Sequence, residues 1–167
     1  MNGIIESLQQ LAGSLPPLFQ PLVSALAGAI PFVEGEGGAA LGILVGTPPV
    51  VAIIAGIVGN FACVVVLAMV AAKTREAVVT RRAAGQTLVA EAPSPRNRKV
   101  LAALEKYGVP GVSLLGPLLV PTMFTATALV AAGVRPGRVL FWQGLATVLW
   151  TTAIGVLVAL GLSALVY

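Results

Sequence analysis

Polar residues interrupt this chain at few places, and the interruptions cut it into pieces that recur. Over 3–15, Ile4, Ile5, Leu8, Leu11 and Leu15 share one helical face, opposite Glu6, Gln9 and Gln10. That spacing predicts a short amphipathic helix, 1–15, lying in a membrane interface. Pro16, Pro17 and Pro21 then open an apolar stretch, 18–33, and a second one, 39–46, follows the insert Glu34-Gly35-Glu36-Gly37-Gly38. Each falls short of the roughly 20 apolar residues that a spanning helix needs. Residues 18–46 are therefore expected to form a re-entrant helical hairpin that enters a membrane, breaks near Pro31–Gly38 and returns. Residues 48–72 carry no charge and are long enough to cross. The polar segment 73–99, with Pro93 and Pro95, reads as a loop, and 99–107 as an amphipathic surface helix.

The second half has the same grammar. Residues 109–133 are apolar and interrupted by Pro121, Arg135-Pro136-Gly137-Arg138 makes a turn, and 139–166 is again long enough to cross. Pro31 is matched with Pro121, and Gly46-Thr-Pro48 with Gly133-Val-Arg-Pro136. The fold class expected is an all-α integral membrane protein built as an inverted-topology repeat, each half a re-entrant hairpin plus one full transmembrane helix. The divisions are 1–15, the interfacial helix; 16–72, repeat 1 with hairpin 18–46 and span 48–72; 73–108, cytoplasmic loop and surface helix; and 109–166, repeat 2 with hairpin 109–133 and span 139–166. Four ordinary spans with two proline kinks remain the alternative, because length does not separate a re-entrant hairpin from two short tilted helices.

Composition and charge supply the compartment. The chain is 57% hydrophobic and only 10% charged, against about 25% charged residues in a soluble domain. All ten Lys and Arg lie between Lys73 and Arg138. Basic residues accumulate on the cytoplasmic side of membrane proteins, so loop 73–99 is expected in the cytoplasm and both termini outside, in a multi-pass protein of the plasma (inner) membrane. The net charge of +4 then reports topology; no basic patch interleaved with aromatics points to nucleic acid. The first residues lack a basic leader and carry Glu6, unlike a cleaved signal peptide.

Candidate chemistry is sparse. The chain has no His and no Asp, which removes histidine metal sites and Ser-His-Asp triads, so neither an enzyme nor a cofactor is expected. The lone Cys63 lies in an apolar run and suits core packing. Glu34 and Glu36 are the only acidic or basic residues inside an apolar region. A charge at mid-bilayer costs about 2.5–3.5 kcal/mol on insertion scales, so such a residue reads first as functional. A carboxyl group taken out of water favours its neutral form, which lets it hold and release a proton near neutrality. The competing reading is a solvated external loop. Gly35, Gly37 and Gly38 permit an unwound backbone, and Gly38, Gly42 and Gly46 make a small-xxx-small stripe for close helix packing. Pro121, Thr122 and Thr125 bring a break and hydroxyls to the second half, while Asn60, Gln143 and Thr147 lie within the long spans. Trp142 and Phe141 suit an interfacial aromatic belt, and Trp150 suits the core.

PFVEGEGGAALGILVG (31–46), KYGVPGVSLLGPLLVP (106–121), AAG (131–133), Phe141 and Trp150 together resemble the small multidrug export protein family, within the DedA-like superfamily of re-entrant-hairpin membrane proteins. The resemblance covers roughly 18–165 and implies two opposed hairpins and a transport role. It carries Glu34 onto the acidic position after the first proline and Pro121 onto the second-hairpin proline. Two positions depart from the family. Glu36 stands where an Arg is usual, and Leu118, Thr122, Met123 and Phe124 stand where lipid-phosphate-handling relatives carry arginines. The function expected is therefore proton-coupled export of small hydrophobic or cationic compounds, with Glu34, Glu36, Asn60, Pro121, Thr122 and Thr125 as substrate- or proton-binding residues. Membrane lipids, a small-molecule substrate and further copies of the chain are the expected partners. The rivals are a DedA-like lipid carrier, for polyprenyl-phosphate or phospholipid, and a non-transporting membrane scaffold.

Overall fold

Proline lacks an N–H and has a preset φ, so it suits the first turn of a helix and little else within one. In this chain Pro17, Pro21, Pro49, Pro95 and Pro136 stand in first turns of helices. A computed structural model describes Gly3, Ser7, Gln10 and residues 14–84, 95–118 and 120–166. Its helices are α1 (Gln20–Gly28), α2 (Glu34–Leu44), α3 (Pro49–Ala83), α4 (Pro95–Leu115), α5 (Thr122–Ala131) and α6 (Pro136–Val166), with 3-10 turns at Pro17–Phe19 and Gly116–Leu118. Among the described residues there is no strand. Two helices are long and apolar enough to cross a membrane, over Pro49–Arg81 and Pro136–Ala164.

Glycines set where helices stop. Gly46 (φ 95°) and Gly133 (φ 100°) adopt the left-handed conformation after α2 and α5. The backbone then closes the same way twice: Thr47 N–H donates to Gly42 O (2.9 Å), and Val134 N–H to Leu129 O (3.1 Å), a Schellman closure of the last turn. Gly108 (φ 66°, ψ −177°) bends α4 two residues before Pro110.

These landmarks fall at one constant offset. Gly46 and Gly133, Pro49 and Pro136, and Asn60 and Thr147 are each separated by 87 residues. The ends of α1 and α4, Gly28 and Leu115, obey the same shift. In that register Pro121 corresponds to Glu34 and not to Pro31: Glu34 is the first residue of α2, and Pro121 is the residue just before α5. The proline-to-proline match expected from sequence is displaced accordingly.

The chain forms two compact units. One comprises Met1–Cys63 and Thr147–Tyr167, the other Val64–Ala146. In the first, α1 packs on α2; in the second, α4 packs on α5. Each unit thus holds one hairpin and part of each long helix. Both long helices keep their apolar surface outside: 28% and 22% of their most hydrophobic windows are buried. Val50, Ile54, Val58, Val66, Leu149, Leu157 and Leu160 are all exposed, whereas Ser24, Asn60, Ser113, Thr122, Thr125, Gln143 and Thr151 are fully buried. That is the reverse of a water-soluble helix bundle.

Two boundaries differ from expectation. The first long helix does not stop at Lys73 but continues through Lys73, Arg75 and Arg81 to Ala83. At 1.5 Å per residue it is about 52 Å long, well beyond a hydrocarbon core of about 30 Å. Lys and Arg are good helix formers, so their charge does not end the helix. The surface helix expected over 99–107 begins at Pro95. Residues 85–94 of the polar loop lie outside the described residues, as do Ile4, Ile5, Leu8 and Leu11 of the amphipathic helix; its described positions Gly3, Ser7, Gln10 and Ser14 are helical and exposed.

Candidate functional site

In the first unit, backbones approach without intervening side chains. A methyl group at Gly38 would strike Ser24 O and come within 2.8 Å of Gly28 N and 3.0 Å of Gly28 Cα. One at Gly42 would strike Ser24 Oγ and come within 2.8 Å of Ala52 Cβ. One at Gly56 would come within 2.6 Å of Gly35 O. The glycines of the insert are therefore helical, and serve close packing and not an unwound backbone. Of the Gly38, Gly42 and Gly46 stripe only the first two pack this way; Gly46 has open space around it and ends the helix.

The break itself lies earlier than expected, at Ala29–Val33, and Glu34 is the first residue of α2. Phe32 (φ 72°) and Glu34 (φ 54°) both adopt left-handed backbone conformations. Non-glycine residues held there cost of order 1–3 kcal/mol each, and such outliers cluster at functional sites. The tight turn rotates Glu34 inward, to 7% exposure, while Phe32 stays exposed. Glu36, half a turn on, is only partly buried. Beside this turn, Thr151 Oγ1 lies against the Cα of Gly35 and has no hydrogen-bond partner. One turn back along α6, Thr147 Oγ1 accepts a hydrogen bond from Asn60 Nδ2 at 3.4 Å. Asn60 stands one turn beyond Gly56 on α3, which itself meets Gly35. Glu34 and Asn60, both anticipated, are thus buried in the first unit together with Thr147 and Thr151.

The second unit carries the other candidates. Pro121 (φ −51°, ψ 141°) precedes α5, and Thr122 and Thr125 are fully buried in its first turns. Thr125 Oγ1 donates to Pro121 O at 3.3 Å. Thr125 also borders a cavity of about 300 Å³ whose walls are otherwise Val100, Ala103, Tyr107, Val112 and Val120 among others. Ser113 Oγ and both amide atoms of Gln143 are buried without partners. Buried polar groups of this kind are expensive unless something satisfies them.

The 87-residue offset explains why the units differ inside. Gly35, Gly38 and Gly56, where the first unit packs backbone on backbone, correspond to Thr122, Thr125 and Gln143. Side chains at these positions prevent the same approach. The first unit is closed around a carboxylate, and the second carries hydroxyls, an amide and a cavity.

Sequence reasoning passed over Ser24, Ser113 and Thr151. Single hydroxyls in apolar runs give little signal, although Thr151 follows Gln143 and Thr147 at four-residue spacing. Phe141 and Trp142 stack edge to face, centroids 5.3 Å apart at 83°; Trp150 is half-buried. Comparison with known family models, curated proteins and solved structures finds no match to this chain.

Proposed function

We propose that this protein is a multi-pass membrane transporter that exports small hydrophobic or cationic compounds in exchange for protons, with Glu34 as the coupling carboxylate. The observation that carries this reading is Glu34 itself, buried at a strained helix start next to Gly35, against which Thr151 lies, in a chain whose outer faces are apolar. In lipid a carboxylate so placed is costly unless it is protonated or paired, and a group that must change its protonation or its partner is what coupled transport requires.

In this reading α3 and α6 cross the plasma membrane, and the two helix pairs are re-entrant hairpins of an inverted repeat, 16–72 and 109–166. The basic stretch 73–99 faces the cytoplasm and both termini face outward. Support for the repeat comes from the constant offset and from the hydrogen bond between its equivalent positions Asn60 and Thr147. The cavity of the second unit suits cargo, being apolar with one hydroxyl from Thr125 and the Tyr107 ring. Its named walls hold no charge, which favours neutral or apolar cargo over the phosphate of a lipid carrier.

Proteoliposomes loaded with ethidium test the proposal. An imposed pH gradient should drive ethidium movement in the wild type, Glu34→Gln should abolish it with incorporation unchanged, and Glu36→Gln should do less. Unaltered movement in Glu34→Gln would remove the coupling role and put the scaffold reading first.

A further inference from the structure

The constant offset repeats a surface pocket as well as helices. In the second unit a pocket of about 370 Å³ lies between α3 and the turn after α5, bordered by Ala72, Arg75, Glu76, Gly133 and Arg135. In the first unit a pocket of about 340 Å³ is bordered by the equivalent positions Ala159, Leu162, Ser163, Gly46 and Pro48. The groove is therefore built into the repeat, where a long helix passes the Schellman turn that ends each hairpin. Only its chemistry differs. One copy offers two guanidinium groups and one carboxylate, and the other offers no charge.

Arg75 is exposed, and its side chain lies over the turn after α5. Its guanidinium lies across Gly133, where a methyl group would come within 2.9 Å of Nη2 and 3.4 Å of Cζ. Neither Arg75 nor Arg135 has a hydrogen-bond or ion-pair partner among the described residues. Glu76 borders the same pocket, leaving an excess of one positive charge. Positions 75 and 135 lie in the stretch that the charge asymmetry assigns to the cytoplasmic side, where the leaflet carries anionic lipids. Planar guanidinium groups match phosphate oxygens in bidentate geometry.

We infer that the Arg75–Arg135 pocket binds the phosphodiester headgroup of an anionic phospholipid of the cytoplasmic leaflet, and that its uncharged twin at Leu162 and Pro48 does not. The inference rests on the membrane placement proposed above, not on transport. The headgroup would neutralise the surplus cation and tie the end of α5 to α3 on one side of the membrane only.

Native mass spectrometry of the full-length protein in neutral detergent, with phosphatidylglycerol or phosphatidylcholine added, is the test. The wild type should retain phosphatidylglycerol in preference. Arg135→Gln should weaken that retention about fivefold, the value of one arginine near an anionic surface. Arg75→Gln should do the same. Arg81→Gln, an exposed arginine of α3 outside the pocket, should change nothing. Arg135 is exposed, so its substitution keeps the test valid if Arg75→Gln fails to fold. Equal retention of the two lipids, or an equal loss in Arg81→Gln, would overturn the inference. So would full displacement by millimolar inorganic phosphate, which would make the ligand a free anion. Release of the protein from membranes by alkaline carbonate would overturn the membrane placement itself, a result distinct from a retained protein without lipid preference.

Discussion

Substituting Gly38 by alanine tests the backbone packing on which the first hairpin depends. The added methyl would meet Ser24 O, Gly28 N and Gly28 Cα, all main-chain atoms, and so could not be accommodated by a rotamer change. Overpacking of this kind costs about 1–3 kcal/mol, and the fixed neighbours put the cost in the upper part of that range. Alanine returns about 1 kcal/mol of helix propensity over glycine. The net loss is about 1–2 kcal/mol, a factor of about 5–30 in the folding equilibrium. Gly161, also within a helix, has nothing within 4 Å of its would-be methyl, so Gly161→Ala should be neutral or gain up to about 1 kcal/mol. Denaturation by sodium dodecyl sulfate, followed by circular dichroism in mixed micelles, compares the two variants directly. Gly38→Ala unfolding at the same detergent fraction as Gly161→Ala would refute the close approach of α1 and α2.

Gly133→Ala and Gly46→Ala share a left-handed backbone, so each should lose about 1–2 kcal/mol to strain. The two losses should be similar, because only the tip of the exposed Arg75 side chain lies near Gly133 and nothing lies near Gly46; thermal aggregation in detergent would reveal the loss. Ala103→Phe should fill the second unit's cavity of about 300 Å³ and abolish binding of a small apolar fluorophore with little change in stability; undiminished binding would place the cargo elsewhere. In a Cys63→Ala background, a cysteine at position 86 should resist a membrane-impermeant maleimide in intact cells, and one at position 167 should react. The opposite pattern would reverse the orientation.

What the sequence disclosed depended on whether a residue has one physical use or several. Prolines have few, and Pro49 and Pro136 open the long helices close to where charge-free length placed them. Glycines have more. Gly35, Gly37 and Gly38 were expected to permit an unwound chain, yet they sit inside α2; the close packing expected of the small-residue stripe is made by Gly38 and Gly42. The actual break, Ala29–Val33, contains no glycine and uses left-handed Phe32 and Glu34 instead. Charge was read as an end of helix, but Lys73 to Arg81 continue α3. Of the two readings open for the Glu34 and Glu36 pair, a buried site and a solvated loop, Glu34 is buried and Glu36 only partly so. The partnerships of Asn60 with Thr147, and of Thr151 with Gly35, are tertiary, and no spacing within one helix announces them.

Proton movement driven by cargo tests the central claim most directly. Liposomes containing the protein and a trapped pH-sensitive dye would receive an outward ethidium gradient with no pH difference imposed. Exchange coupled through Glu34 predicts that the wild type acidifies the lumen as ethidium leaves, and that Glu34→Gln leaves luminal pH unchanged. Ethidium efflux with no proton movement in the wild type, or equal acidification in Glu34→Gln, would contradict the account.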